Sequence, residues 1–142
     1  MPIYAECGGL IYLGREIIIE DRRYPLVGVF DVVFGMSKEP QAHGYSIFTT
    51  ERANPFFPEG FPAKGHEFRY STVVEWHGEP QELVLKMERG TGFRHGYDGL
   101  VSGNVLALYT HLHAEGTPEW AYHFTRKSIA YKLSADSAVN GQ

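Results

Sequence analysis

The chain holds one cysteine, and its neighbours suggest work for it. In PIYAECGGLIYLG (residues 2–14) an apolar run leads to Cys7, and Gly8-Gly9 follow. The pattern small-x-Cys-x-Gly, from Ala5 to Gly9, is that of a nucleophile elbow. Such a sharp strand-to-helix turn needs small residues two before and two after the nucleophile. A thiol there would sit at the positive end of a helix, which lowers a thiol pKa. The Gly8 N–H would point at an oxyanion beside the sulfur. The competing reading of a lone cysteine is a buried structural thiol. Glu6, directly beside Cys7, has no evident role in the pattern.

A thiolate nucleophile needs an imidazole partner, and the chain has seven histidines. His111 stands out because it ends the apolar run NVLALYTH. A strand there would carry it to the carboxyl edge of a sheet, where ligand crevices of α/β folds lie and where the elbow also lies. His113, two residues on, would face the same side. The pair could begin a metal site, but no third ligand recurs at ligand spacing, so no metal is expected. The glycine-rich RGTGFRHGYDG (residues 89–99) sits between strands rather than before a helix, so it reads as a turn and not a phosphate cradle.

The elements that must hold these residues follow from periodicity. Residues 45–50, 66–75, 82–88 and 100–108 read as strands, rich in β-branched and aromatic residues. Residues 24–38 are apolar enough for a strand but do not alternate. ANPFFPEGFPAKG (residues 53–65) reads as a loop pinned down by Phe56, Phe57 and Phe61 rather than a lid. A short helix should start after Cys7 and run through Leu10 and Leu13. A long helix is expected over 117–133, with Thr117 as N-cap, Pro118 at N1 and Glu119 in the first turn. Trp120, Phe124 and Tyr131 would share its inward stripe. The order of elements predicts an α/β fold in one domain, residues 1–142, with 134–142 a fraying tail.

Composition narrows the function classes. A formal net charge of −4 gives no basic footprint for nucleic acid and no polybasic membrane patch. No apolar run reaches the length of a membrane span. One cysteine cannot form an internal disulfide, which fits a reducing compartment. The start MPIYAECGG lacks the basic and apolar regions of a signal peptide, so the cytoplasm is expected.

Three segments taken together resemble the glutaminase domain of the cobyrinic acid a,c-diamide synthases, a class I glutamine amidotransferase-like family. PIYAECGGLIYLG resembles the nucleophile motif. GHEFRYS (residues 65–71) resembles a Gly-His-Glu-Phe-His-Tyr-Ser motif. DGLVSGNVLALYTHLHAEG (residues 98–116) resembles the segment that ends Tyr-x-His-Leu-His. Arg69 stands where the family usually has histidine, and Ala114 where it often has phenylalanine.

The resemblance implies that Cys7 attacks the side-chain amide of glutamine, that His111 is its acid/base partner, and that Gly8 supplies one oxyanion N–H. It gives Gly65, His66, Glu67, Phe68, Tyr70, Ser71 and His113 structural or substrate-side roles. Other class I amidotransferases carry a glutamate two residues after the histidine. His113 occupies that place here, so a Cys–His dyad is expected. The implied fold is a partial class I amidotransferase-like fold, a mixed and largely parallel sheet with flanking helices. In the family, further strands, an oxyanion loop and an Mg-ATP-dependent synthetase domain precede the nucleophile. No cofactor is therefore expected on this chain. Its open sheet edge is expected to pair with an upstream synthetase polypeptide or a second copy, and the chain alone to turn over little glutamine. The alternatives are a non-catalytic remnant of the same fold, or an amidase part acting on another tetrapyrrole such as sirohydrochlorin.

Overall fold

The computed structural model describes residues 1–140. Strand β1 (Ile3–Glu6) runs into the short helix α1 (Gly8–Tyr12). Strands β2 (Glu16–Ile19), β3 (Arg22–Pro25), β4 (Val32–Met36), β5 (Ala42–Thr50), β6 (Pro62–Arg69), β7 (Ser71–Trp76), β8 (Leu83–Arg89), β9 (Tyr97–Ser102), β10 (Val105–Leu108) and β11 (His111–Leu112) follow. Helix α2 (Glu119–Asn140) closes the chain.

The strands form a seven-stranded sheet in the order β1-β10-β9-β8-β5-β6-β11 and a four-stranded sheet in the order β3-β2-β4-β7. The class is α/β with a mixed sheet, as expected, but the largely parallel arrangement is corrected. Among the described residues only β1 and β10 are parallel in the larger sheet, and only β2 and β4 in the smaller. The connections explain this. Ser102 pairs with Val105 across the two-residue turn Gly103-Asn104, with Gly103 at φ 57°. A tight turn joins antiparallel neighbours, whereas parallel pairing needs a long crossover. Here residues 7–104 separate β1 from β10.

Two runs read as single strands are each divided. Residues 66–75 break at Tyr70, so that β6 lies in one sheet and β7 in the other. Residues 100–108 fold back at Gly103. The non-alternating stretch before residue 36 yields β4, in which Val32 to Gly35 are all buried. A strand covered on both faces reads as a continuous apolar run.

The core lies on both faces of the seven-stranded sheet. On one, Leu10 of α1 and Leu13 just after it meet Phe34 of β4, Leu100, Ala107 and Tyr109. On the other, Phe48, Leu106 and Leu108 meet Phe56 and Phe57 of the 53–65 loop, with Tyr4, Trp120 and Phe124 packed against them. Asn54 shapes that loop: its side-chain oxygen accepts from the N–H groups of Phe56 and Phe57, at 3.0 and 2.8 Å. The loop is thus a pinned layer of the core. Trp120 and Phe124 form the expected inward stripe of α2, but Tyr131 is exposed. The Thr117 hydroxyl makes no hydrogen bond, and its carbonyl instead accepts the Trp120 N–H at 3.1 Å. Helix α2 continues to Asn140, through most of the expected tail, and residues 141–142 lie outside the described residues.

The two outer strands of the larger sheet come together. Leu112, in β11, donates its N–H to the Glu6 carboxylate of β1 at 3.1 Å. The sheet therefore curls until its ends meet across one side chain. Gly65 makes the last step of that curl passable. A Cβ there would run into the carbonyl oxygen of His111 and the methyl of Thr110. Gly65→Ala should therefore push β11 off β6 and cost about 1–3 kcal/mol. Urea unfolding checks this; a cost below about 0.5 kcal/mol would show that the strand pair has room to give.

Candidate active site

The elbow is present. Cys7 lies between β1 and α1 at φ 46° and ψ −99°, a conformation that L-residues with a Cβ rarely adopt. Its N–H donates to the Leu108 carbonyl at 2.8 Å, and its own carbonyl accepts from Ile11 at 3.0 Å. The spacing argument for small flanking residues holds in detail. A Cβ on Gly9 would stand 3.1 Å from that of Ala5.

The expected depression of the thiol pKa is corrected. Cys7 is half-buried, and loss of hydration pushes its thiol above the ordinary value. The Gly8 N–H and the Arg69 guanidinium pull it down, while Glu6 and Asp98 push it up. Helix α1 has only five residues, so its dipole is small. A thiol left in this state is protonated at neutral pH and needs a base to become a nucleophile.

The chain delivers an imidazole to the same edge by an indirect path. Because β1 and β10 are parallel, Leu108 ends beside Glu6 and Cys7. NVLALYTH is therefore not one strand. It bends at Tyr109-Thr110 and resumes as β11, where His111 pairs with His66 of β6. Asp98 shapes the bend. One of its carboxylate oxygens accepts from Gly99 and Tyr109, the other from Thr110, each at 2.9 Å. This carboxylate is fully buried, and burial raises its pKa to about 6 against those three donors.

His111 arrives with its Nδ1 3.8 Å from a carboxylate oxygen of Glu6. Its ring stacks on that of His66, with centroids 4.9 Å apart and planes 13° from parallel. His113 is exposed beyond the end of β11, and its carbonyl accepts from Gly116 and Thr117, at 2.9 Å each. The structure thus brings Cys7, Gly8, His66 and His111 to one edge and leaves His113 outside. Among the described residues no three His, Cys, Asp or Glu side chains converge as a metal site.

The GHEFRYS segment divides by strand alternation. Gly65, Glu67, Arg69 and Ser71 point inward, while His66, Phe68 and Tyr70 point out. Glu67 accepts from the N–H groups of Thr91 and Gly92, at 3.0 and 3.1 Å. Arg69 donates to the Gly92 carbonyl at 2.8 Å and lies 3.9 Å over the Tyr109 ring. Ser71 bonds the Tyr109 hydroxyl at 3.2 Å. Burial pushes that hydroxyl up to about 12. Arg69 is therefore an interior residue. The 89–99 turn does hold an anion, but it is the chain's own Glu67. Outward, Phe68 meets His43 and Tyr70 edge-on, at 5.4 and 5.6 Å.

Two residues had escaped assignment from the sequence. Glu6 is noticeable only as an acid beside the cysteine, and Asp98 only as the start of DGLVSGN; neither contact is local in the chain.

A Cys elbow between strand and helix, with a histidine brought to the same end of β1, fits a partial glutamine amidotransferase-like fold. Comparison with known proteins agrees and is more specific. Residues 1–119 match the CobB/CobQ-like glutamine amidotransferase domain, and the chain belongs to that family. It is similar to the cobyrinate a,c-diamide synthase of Methanosphaera stadtmanae, 37% identical over 131 residues, covering 92% of this chain and 28% of that protein. The synthase of Magnetococcus marinus is 38% identical over 126 residues, covering 89% of this chain and 27% of that protein. The chain thus spans little more than a quarter of the curated relatives it matches. Among the described residues no helix is long and apolar enough to cross a membrane.

The Asp98 carboxyl titrates at about 6 in the fold and near 3.8 when unshifted, so the folded chain holds more protons between those values. This group's contribution to stability should therefore fall as pH rises from about 4 to about 6 and stay level above that. The difference in Tm between the unmodified chain and Asp98→Asn, followed from pH 4 to 8, should shrink over that window. A difference that grows there would mean that the three N–H donors outweigh burial.

Proposed function

We propose that this chain is the ammonia-releasing portion of a glutamine-dependent, ATP-driven amidotransferase that amidates the a and c side-chain carboxylates of cobyrinic acid. The observation that carries the reading is the meeting of the Cys7 elbow with His111 at one sheet edge, through two connections distant in sequence.

The chemistry follows from the state of the thiol. Cys7 holds its proton, so His111 accepts it as the sulfur attacks the amide carbon of the glutamine side chain. The oxyanion of the tetrahedral intermediate takes a hydrogen bond from the Gly8 N–H, a position open enough that a Cβ there would meet nothing within 4 Å. His111 returns the proton to the leaving nitrogen, ammonia departs, and a Cys7 thioester remains. Water then attacks the thioester carbonyl with His111 as base, releasing glutamate and restoring the thiol. The glycine-rich 89–99 turn gives the N–H groups of Thr91 and Gly92 to the chain's own Glu67, which argues against a phosphate there. We assign ATP use and the corrinoid to a part of the synthase outside this chain. The partner would be a synthetase polypeptide, or a second copy, laying a strand along β1, which is an outer strand of its sheet among the described residues.

An electrophilic glutamine analogue should label Cys7 once per chain, detected by mass spectrometry of the intact protein and its peptides. Cys7→Ser should abolish labelling, and His111→Ala should slow it by about 10²–10⁴-fold. A chain that binds its partner yet is never labelled would be a scaffold rather than a glutaminase. Light scattering at micromolar concentration should find a dimer, or a complex with the synthetase polypeptide; a monodisperse monomer indifferent to that polypeptide would refute the pairing along β1.

A further inference from the structure

We infer that Glu6 is the positioning residue that fixes the tautomer of His111, supplying from the position before the nucleophile what other amidotransferases place two residues after the histidine. The inference rests on the reading of Cys7 and His111 as the working pair.

A neutral imidazole carries one N–H. To accept the thiol proton on one ring nitrogen, it must hold its hydrogen on the other. His113 cannot direct this choice, being exposed and outside the cluster. Glu6 can. Its Oε2 lies 3.8 Å from His111 Nδ1, within reach of an ion pair and of closing to a hydrogen bond when substrate fills the site. The carboxylate is itself held from two sides. Its Oε1 accepts the Tyr4 hydroxyl at 2.9 Å and the Leu112 N–H at 3.1 Å. Burial first, then the Glu6 charge, pushes the Tyr4 pKa well above its ordinary value, so that hydroxyl remains a donor. The Leu112 bond joins the carboxylate to the residue next to His111, so the two move together. His66 covers one face of the imidazole and limits its tilt.

With that 3.8 Å gap closed to a hydrogen bond, His111 Nδ1–H donates to Glu6 Oε2, and the lone pair on Nε2 is left for the Cys7 proton. When His111 takes that proton, the imidazolium faces a fixed carboxylate. No proton passes to Glu6. Since Glu6 and Cys7 are adjacent in the chain, a single peptide unit sets both the nucleophile and the group that orients its base.

Glu6→Gln separates this role from a structural one. The glutamine oxygen can still accept from Tyr4 and Leu112, but its NH₂ group then faces Nδ1 and makes that nitrogen an acceptor. Nitrogen-15 NMR of the chain, with the His111 signals assigned by comparison with His111→Gln, should find the proton on Nδ1 in the unmodified chain and on Nε2 in Glu6→Gln. Labelling of Cys7 by the electrophilic glutamine analogue should fall by about 10²-fold or more, as expected for a base held in the wrong tautomer. A proton on Nε2 in the unmodified chain, or an unchanged tautomer in Glu6→Gln, would overturn the inference. If the unmodified chain is not labelled, the glutaminase reading fails while the tautomer still decides the role of Glu6.

Discussion

The buried carboxylate of Asp98 is the contact on which the site depends. The bend at Tyr109-Thr110 lies wholly inside the protein, where N–H groups without partners would each cost about 1–3 kcal/mol. One side chain on β9 satisfies both, along with the N–H of its own neighbour Gly99. The bend then takes the chain out of β10, beside the elbow, and lays it against β6 at the far side of the sheet. Without that turn, His111 would continue along the β10 direction and the sheet would have no means of curling back to Glu6.

A second buried polar layer supports the first. Glu67 and Arg69 neighbour each other in the interior, 3.7 Å apart, and each is bonded to the backbone of the 89–99 turn. Arg69 also lies over Tyr109, the first residue of the bend. Removing either charge would strand the other without solvent, the situation in which ion pairs are most costly to break. The positive charge of Arg69 also reaches Cys7, where it opposes part of the effect of burial. The layer thus fixes the backbone and acts on the Cys7 thiol.

The parts of this site carried by local pattern were legible in the sequence. The elbow follows from Ala5, Cys7 and Gly9 because the constraint is a clash between residues four apart. His111 was picked out as the end of an apolar run at an edge, and the run proved to be a strand, a bend and a short strand. What escaped was set by distance in the chain. Glu6 and Leu112 are 106 residues apart, and nothing near Glu6 announces its partner. The thiol pKa was misjudged because a helix start is visible in sequence and burial is not. Strand direction was misjudged for a similar reason: composition marks strands, but the short turn at Gly103 that makes β9 and β10 antiparallel had been read as the interior of a longer run.

The alternation along β6 has a consequence for how such a domain can diverge. Every second residue of the strand belongs to the internal scaffold, and the residues between are open to solvent, with His66 and Phe68 beginning an aromatic rim that Tyr70 continues. Replacements at Phe68 or Tyr70 leave Glu67, Arg69 and Ser71 untouched. His66 is the exception, an outward residue that also touches His111. A lineage could therefore exchange the rim one side chain at a time, meeting new neighbours while its interior stays constant, and would meet resistance only where the rim borders His111.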